Sequence, residues 1–435
     1  MRDFLADIVA QGQLRRVAKP VDARFEMAAV TAASQRVSED AILFERVSGS
    51  NLPVATNLYG SRARLCRLIG ATDGAFCKRW SELMHKPPPA GEASWVEENL
   101  IDLKLSDLPP LTYFERDAGP YITAGIFLAR EPETGVPNLS FHRCMMVNDT
   151  EVRVRLGSSH DLTKYQLKAE AAGQALEAAI LIGAPPAVVM AAAAPIPYDE
   201  SELDVAGKLG GRPLAMRRCR HIDLEVPAET EIVIEGRILP HVRRPEGPFG
   251  EFMGFYVPVG DNHVFEILGI TARPNAVYHG LICGSPEDLR LLELAVATRI
   301  YQHVSSVLPG IVDVACVPTV MNTVIKIKKQ YEGHGRQVLI SAFGANHDWS
   351  KCVIVVDEDV DIGNFEDVWW SFLTRAKADS RIMHIPNVPG FYRDPQKDYW
   401  GRLGIDATKA WSREDEFERK SIPGQNAIDL KAYFG

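Results

Sequence analysis

Glu246 and Glu251 stand five residues apart in the stretch EGPFGEFMGFY, with Gly247, Pro248 and Gly250 between them. Glycine and proline rule out a helix here and make a loop that is costly to order unless backbone direction matters. Two carboxylates held apart in unlike surroundings are a known way to keep one ionised and the other protonated near neutral pH, which is what acid–base work requires. Arg243 and Arg244 are close enough in sequence to balance one of the charges. The plain alternative is a solvated turn with two surface acids.

A second candidate is PNLSFHRC, Pro137 to Cys144, which reads as a strand. Asn138 and Arg143 differ by an odd number of positions, so a regular strand points them to opposite faces. A bulge or bend is needed to bring both to one site. His142 and His160 are lone histidines by sequence. Histidine is the commonest metal ligand, but no HxH or HExxH accompanies them, and a lone histidine is more often a satisfied structural residue than a ligand. A third candidate is PIPYDESELDVAG, with Asp199, Glu200, Glu202 and Asp204. Acids suit a helix N-terminus, and one of them could instead ligate a metal. An Asn, a His and a Glu offer two oxygens and one nitrogen, a set suited to Mn²⁺ or Mg²⁺ rather than to structural zinc.

These residues need a frame. At 435 residues the chain is too long for one simple core, so two or three domains are expected. It is 46% hydrophobic and 24% charged, with a net charge of −9 that offers no attraction to nucleic acid or an anionic membrane. The seven cysteines form no CxxC pair and are odd in number, which argues against a disulfide framework and a Cys-type zinc site and for free thiols in a reducing cytoplasm. The N-terminus, MRDFLADIVAQGQLRRV, reads as an amphipathic helix and not a signal peptide. The uncharged run Ala178 to Pro197 approaches the length of a membrane span, but Gly183, Pro185 and Pro186 cut it. It reads as a helix end, a turn and a short buried strand. No GxGxxG or GxxxxGK[ST] supports a Rossmann or P-loop reading.

Residues 1 to about 105 mix helices and short strands, closed by the proline-rich connector Lys86 to Ser94. From Tyr121 the stretches YITAGIFLARE, NLSFHRCMMVND and EVRVRLG read as strands. The alanine-rich TKYQLKAEAAGQALEAAILIG reads as one helix stopped by Gly183. EIVIEGRIL and HVFEILGITARPNAVYHGLICG return to strands. Ser285, Pro286 and Asp288 then form a helix-start signal for a helix that ends before Pro309 and, at roughly 30 Å, is long enough to link two domains. Alternating strands and helices follow, then a polar tail from residue 412.

In this order the motifs resemble the UbiD-like decarboxylases, which use prenylated FMN. EGPFGE followed by GFY, NLSFHR, MAAAAPIP…SELDVAG, VPAETEIVIEG, VIVVDEDVDI and GIDATKAW carry the resemblance, most strongly from Asn138 to Asp406. It implies a mixed α+β and α/β fold with a central split-β-barrel-type flavin-binding domain. An N-terminal α/β region would span 1–105, the prenylated-FMN- and metal-binding domain 106–300, and a C-terminal α/β oligomerisation domain, joined by the long helix, 301–435. It implies that Asn138, His160 and Glu202 hold Mn²⁺, which bridges to the cofactor phosphate. Backbone carbonyls near Ala191, Ala192 and Ala194, with Glu202, would hold K⁺, and Lys351 would contact the phosphate. Arg143 would position the substrate carboxylate, Glu246 would hold Arg143, and Glu251 would be the acid–base residue, partly desolvated and able to keep a proton near neutrality. Ser159 stands where some relatives have Gln, and Ala192 and Ala193 where some have Ser.

The implied reaction is reversible, non-oxidative decarboxylation of an aromatic, heteroaromatic or α,β-unsaturated acid through a covalent adduct with the cofactor. A flavin prenyltransferase would supply that cofactor, and the chain would form a homodimer or a larger homo-oligomer. The segment 281–293, LICGSPEDLRLLE, corresponds to pocket-lining residues in relatives. Two other readings use the same residues: a metal-dependent hydrolase built on Asn138, His160 and Glu202, and a non-catalytic partner in cofactor assembly.

Overall fold

The strand Ile232–Glu246 is the spine of the first part of the molecule. Its first five positions are all buried, and it lies antiparallel between Leu176–Ile182 and Gly260–Ala272. The computed structural model describes residues 1–435 except 92, 93, 97, 98, 159, 346–348, 389, 392–400, 425, 426, 429, 430 and 435. Ser159, and parts of the Lys86–Ser94 connector and of the tail, thus lie outside the described residues. The chain divides into two compact units, Met1–Gln302 and His303–Gly435, and the boundary falls within the helix Pro286–Val307.

In the first unit a large sheet runs in the order Tyr121–Ile122, Cys144–Asn148, Glu151–Val154, Gly260–Ala272, Ile232–Glu246, Leu176–Ile182, Ile126–Arg130, Pro137–Phe141, with Ile101–Leu103 added beside Gly260–Ala272. Pro137–Phe141 ends one side of this order, and Cys144–Asn148 lies one strand from the other end. Yet only His142 and Arg143 separate them in sequence. Consecutive Cα atoms are about 3.8 Å apart, so the sheet must curl until its two sides meet at that dipeptide. The result is a barrel split at a seam. Phe127 fills its interior, edge-on to both His142 and Phe265 at centroid distances of 5.4 and 5.7 Å. Ile122, Val152, Ile180, Ile234 and Phe265 belong to the same core. A second, four-stranded sheet takes Leu14–Val17, Ala41–Phe44 and Val54–Thr56 from the N-terminal region and Tyr278–His279 from beyond the barrel strands.

Three sequence expectations are corrected here. The run from Thr163 to Gly183 is not one helix: the helix Asp161–Ala171 stops, a turn follows, and Leu176–Ile182 is a central strand. The stretch expected as a short buried strand is instead the helix Pro186–Ala191. Leu176–Ile182 is buried at every position but Glu177. A strand covered on both faces loses its alternation and cannot be told by periodicity from a buried helix. Pro186 at the first helical position was the missed start signal. The N-terminal helix is also shorter than its pattern, Arg2–Ala10, with Leu14–Val17 turned into a strand.

The second unit is a five-stranded sheet in the order Ile311–Cys316, Asn322–Ile327, Cys352–Asp357, Arg402–Asp406, Ile382–Ile385, with the three middle strands parallel. Parallel strands are normally covered on both faces, and Cys352–Asp357 is buried at five of its six positions. Among the described residues no helix is long and apolar enough to cross a membrane. All seven cysteines are free thiols.

Candidate active site

Arg143 sits at the seam of the split barrel. The strand Pro137–Phe141 stops, His142 and Arg143 lie outside regular structure, and Cys144–Asn148 begins on the other side. This is the bend that the odd spacing of Asn138 and Arg143 calls for. Arg143 Nε and Nη2 donate to Glu246 Oε1 and Oε2, each at 3.0 Å, and Nη1 donates to Glu251 Oε1 at 3.1 Å. The side chains are 8%, 0% and 5% exposed, so this is a buried ion triad rather than a surface bridge. The Phe249 ring covers the guanidinium at 4.6 Å, a cation–π contact. Burial works against the Arg143 charge, but the two carboxylates more than offset it and hold its pKa above the usual range. Charge balance thus comes from Arg143 and not from the neighbouring arginines: Arg243 pairs with Glu170 at 2.8 Å, and Arg244 bonds the Arg243 carbonyl.

The two glutamates differ in how they are held. Besides the Arg143 fork, Glu246 accepts from the Tyr121 hydroxyl at its Oε1 and from Asn262 Nδ2 at its Oε2, both at 2.9 Å. Those four bonds match the four lone-pair positions of a carboxylate. Burial and the Glu246 charge push the Tyr121 hydroxyl well up, so it remains a donor. Glu251 follows the bend and takes the Phe252 N–H at Oε2, 3.1 Å. The bend itself is clasped from residues 114–118. Asp117 accepts the Gly250 N–H at 2.8 Å, and the Ala118 N–H reaches the Pro248 carbonyl at 2.9 Å. A side chain at Gly250 would place its Cβ 2.3 Å from Phe114, so only glycine allows this approach.

Register explains how Glu246 reaches the site. The pairing of Ile232–Glu246 with Gly260–Ala272 slips between Glu235 and Gly236 and again between Ile238 and Arg243. Bulges of this kind bend a strand and re-aim its side chains. Beyond the second slip Glu246 faces Gly260 and Arg244 faces Asn262, which leaves Asn262 on the diagonal from Glu246. Tyr121 and Asn262 were not found by sequence. Asn262 lies between Asp261 and His263 at the polar start of its strand, so nothing in the local sequence singles it out as the buried one.

The second group of predicted residues gathers on the other side of the seam. Asn138, Ser140 and His142 alternate along one face. Ser140 Oγ donates to Asn138 Oδ1 at 3.0 Å and lies 2.9 Å from His142 Nε2. The His142 and His160 rings are 4.9 Å apart. Glu202 begins the helix Glu202–Gly210, capped by Ser201, and is buried, whereas Asp199, Glu200 and Asp204 are exposed. Its Oε1 accepts from Asn138 Nδ2 at 3.0 Å and its Oε2 from the Leu139 N–H at 2.9 Å. The structure thus brings Asn138 and Glu202 into direct contact and reaches His160 through Ser140 and His142. Burial pushes the Glu202 carboxyl up to about 7. Its hydrogen-bond partners are neutral, so a cation beside it would relieve a desolvated charge. Among the described residues no trio of His, Cys, Asp and Glu is placed to hold a metal; the Asn138, His160 and Glu202 set has only two such side chains. The Ala191 and Ala194 carbonyls each accept one backbone N–H, which leaves each a second lone pair; Ala192 caps the helix Pro186–Ala191. Lys351 is exposed in the second unit, just before Cys352–Asp357.

Three family models match the chain: the 3-octaprenyl-4-hydroxybenzoate carboxy-lyase (UbiD) N-terminal domain over residues 5–84, the Rift-related domain over 84–286 and the C-terminal domain over 290–407. Anhydromevalonate phosphate decarboxylase of Methanothermobacter thermautotrophicus is 34% identical over 428 residues, covering 97% of this chain and 99% of the relative. The UbiD-class enzyme HmfF from Pelotomaculum thermopropionicum, solved with FMN, aligns at a TM-score of 0.91 and 35% identity over 100% of this chain and 99% of that one. An evolved dimeric form of the same enzyme, solved with prFMN, aligns at 0.87 and 34% identity over the same shares.

Proposed function

The chain belongs to the UbiD family of carboxy-lyases, and on that premise we propose that Arg143, Glu246 and Glu251 carry out its chemistry. It is a non-oxidative decarboxylase of aromatic, heteroaromatic or α,β-unsaturated acids that works with a flavin. The observation that supports the residue roles is the buried Arg143 held by both acids at 3.0–3.1 Å.

Loss of CO₂ leaves an electron pair on carbon. Prenylated FMN, when bound, supplies the sink for that pair. The protein orients the substrate, excludes water and delivers a proton. Arg143 aligns the substrate carboxylate. Glu246, with all four of its acceptor positions taken, is a fixed anion that braces Arg143. Glu251 takes the Arg143 Nη1–H and the Phe252 N–H and is 6% exposed. At the end of the bend, it delivers the proton to the carbon that lost CO₂. A complete acid–base network is superfluous in a binding-only assembly partner.

Asn138, His160 and Glu202 hold a divalent metal in this reading, with Mn²⁺ favoured by two oxygens and one nitrogen. The ion would tie the cofactor phosphate to the barrel. Carbonyls of Ala191, Ala192 and Ala194, with Glu202, would provide a K⁺ site. Glu202→Ala is expected to lose manganese and flavin together, read by metal analysis and absorbance of the purified protein. A variant that keeps one metal per chain and a normal flavin spectrum removes Glu202 from the site.

The test of function is CO₂ release from a panel of acids after co-expression with a flavin prenyltransferase, the proposed cofactor supplier. The panel spans aromatic, heteroaromatic and acrylic acids. It includes an unsaturated acid carrying a phosphate, because the Methanothermobacter relative is named for one. A flavin-loaded protein that acts on none of them overturns the assignment. Free thiols support the cytoplasm as its compartment. A homo-oligomer joined through the second unit is proposed as well. It is supported by the exposed Trp369, Trp370 and Leu373 of the helix Phe365–Arg375. Light scattering at micromolar concentration is expected to give at least a dimer, and a monomer there excludes it.

A further inference from the structure

Two neighbouring acids open the helix Pro286–Val307, and they turn to different tasks. Glu287 is 1% exposed and accepts the N–H groups of Asn57, Leu58 and Tyr59 at 2.7, 2.8 and 3.1 Å, with His279 Nε2 at 3.0 Å. It fastens the helix start to the N-terminal sheet. Asp288 reaches the other way, and its Oδ2 accepts the Gly284 N–H at 2.7 Å. Gly284 has φ +76°, and a Cβ there would lie 3.2 Å from the Phe252 Cα and carbonyl oxygen. The loop 283–285 is therefore pressed backbone to backbone against the residue that follows Glu251, and glycine alone permits it. On the far side of that contact the Phe252 N–H is held by Glu251 itself at 3.1 Å. Asp288, Gly284, Phe252 and Glu251 form one continuous line.

We propose that Asp288 is a positioning residue for the proton on Glu251: the two carboxyls flank a single backbone contact and act as a coupled acid pair. The inference rests on the reading of Glu251 as the proton carrier. Like charges in a poorly solvated pocket raise each other's hold on protons. The charged and titratable groups around Asp288 include Glu251, Glu287 and Cys283, with Arg143 on the Glu251 side, 3.1 Å from Glu251 and opposing the rise at Cys283. Burial first, and then the Glu251 charge, push the Asp288 carboxyl up to about 7, although the residue is partly exposed at its surface. The Cys283 thiol is pushed well up by burial and by Asp288 and Glu251, so it stays a neutral neighbour. The plain alternative is a helix-start acid that caps its own turn; Ser285 Oγ already accepts the Asp288 N–H at 3.4 Å. A capping acid at the positive end of a helix is normally driven toward ionisation, whereas burial and the Glu251 charge both work against ionisation of Asp288. Capping would also be served equally well by asparagine, whereas proton coupling would not.

The experiment titrates the full-length protein by infrared difference spectroscopy with ¹³C-labelled aspartate, with and without cofactor. The protonated band that Asp288→Asn removes is expected to titrate near pH 7 in wild type. In Glu251→Gln its midpoint should fall by about one pH unit, because the neighbouring charge is gone. Reciprocally, the pH dependence of deuterium uptake into product from heavy water should differ between Asp288→Asn holoenzyme and wild type. An Asp288 midpoint that stays put in Glu251→Gln overturns the proposal. So does an unchanged pH dependence of uptake in folded Asp288→Asn. Should Asp288→Asn fail to fold, band assignment passes to Asp288→Glu, and the Glu251→Gln titration decides alone. The infrared arm needs no turnover, so a protein inactive on every acid would discredit the substrate reading without touching this one.

Discussion

Arg143→Met is expected to lose turnover and about 3–5 kcal/mol of folding stability together, the usual cost of removing one partner from a buried ion pair. The reason is what remains. Glu246 is 0% exposed and keeps only the Tyr121 hydroxyl and the Asn262 amide, two neutral donors, around a full charge. Glu251 loses its bond from Arg143 Nη1 as well. Methionine fills much of the arginine volume beneath Phe249, so the loss is electrostatic rather than a cavity. A second substitution separates the two consequences. Arg143→Met with Glu246→Gln removes the stranded charge while Tyr121 and Asn262 keep a polar partner, and most of the stability should return. Activity should not, because nothing then grips the substrate carboxylate. Urea unfolding midpoints and turnover, measured on the single and the double variant, give both answers. An Arg143→Met protein as stable as wild type would mean that the triad is not a closed, water-free pair in solution.

This division between stability and chemistry bears on what the sequence could disclose. The acids of EGPFGE were legible because glycine and proline flag backbone geometry directly. Parity made a bend between Asn138 and Arg143 a condition for both to serve one site, and the structure puts a break between strands there. Tyr121 and Asn262 were not legible. Each is polar in a strand, and only the slipped register of Ile232–Glu246 brings them to the same carboxylate. The misreading of Leu176–Ile182 has a related cause. Its alanines and its missing alternation suggest a helix, whereas the barrel buries both its faces, so tertiary structure overrides propensity. Local chemistry shows in a sequence. Register, and whatever depends on it, appears only when distant strands are laid side by side.

Glu251→Gln should lower turnover by about 10²-fold or more, the scale of a positioned acid–base group, while flavin and metal bind as in wild type. Glutamine keeps the length of the side chain, and its amide oxygen can still accept from Arg143 Nη1 or from the Phe252 N–H, the bonds that hold Glu251 in place. The Arg143–Glu246 fork, with both its bonds at 3.0 Å, is left as it was. What is removed is the acid function: the carboxyl proton and the negative charge it leaves behind. Deuterium uptake into product from heavy water should therefore fall with turnover, and substrate binding should change less than either. Glu246→Gln is the informative contrast. It leaves Glu251 its proton but weakens the brace on Arg143, so it should impair substrate binding and turnover together. Cofactor loss in Glu251→Gln would make that residue part of the cofactor cradle instead. Wild-type turnover in that variant, with the large loss appearing only in Glu246→Gln, would move the proton to the other end of the Arg143 fork.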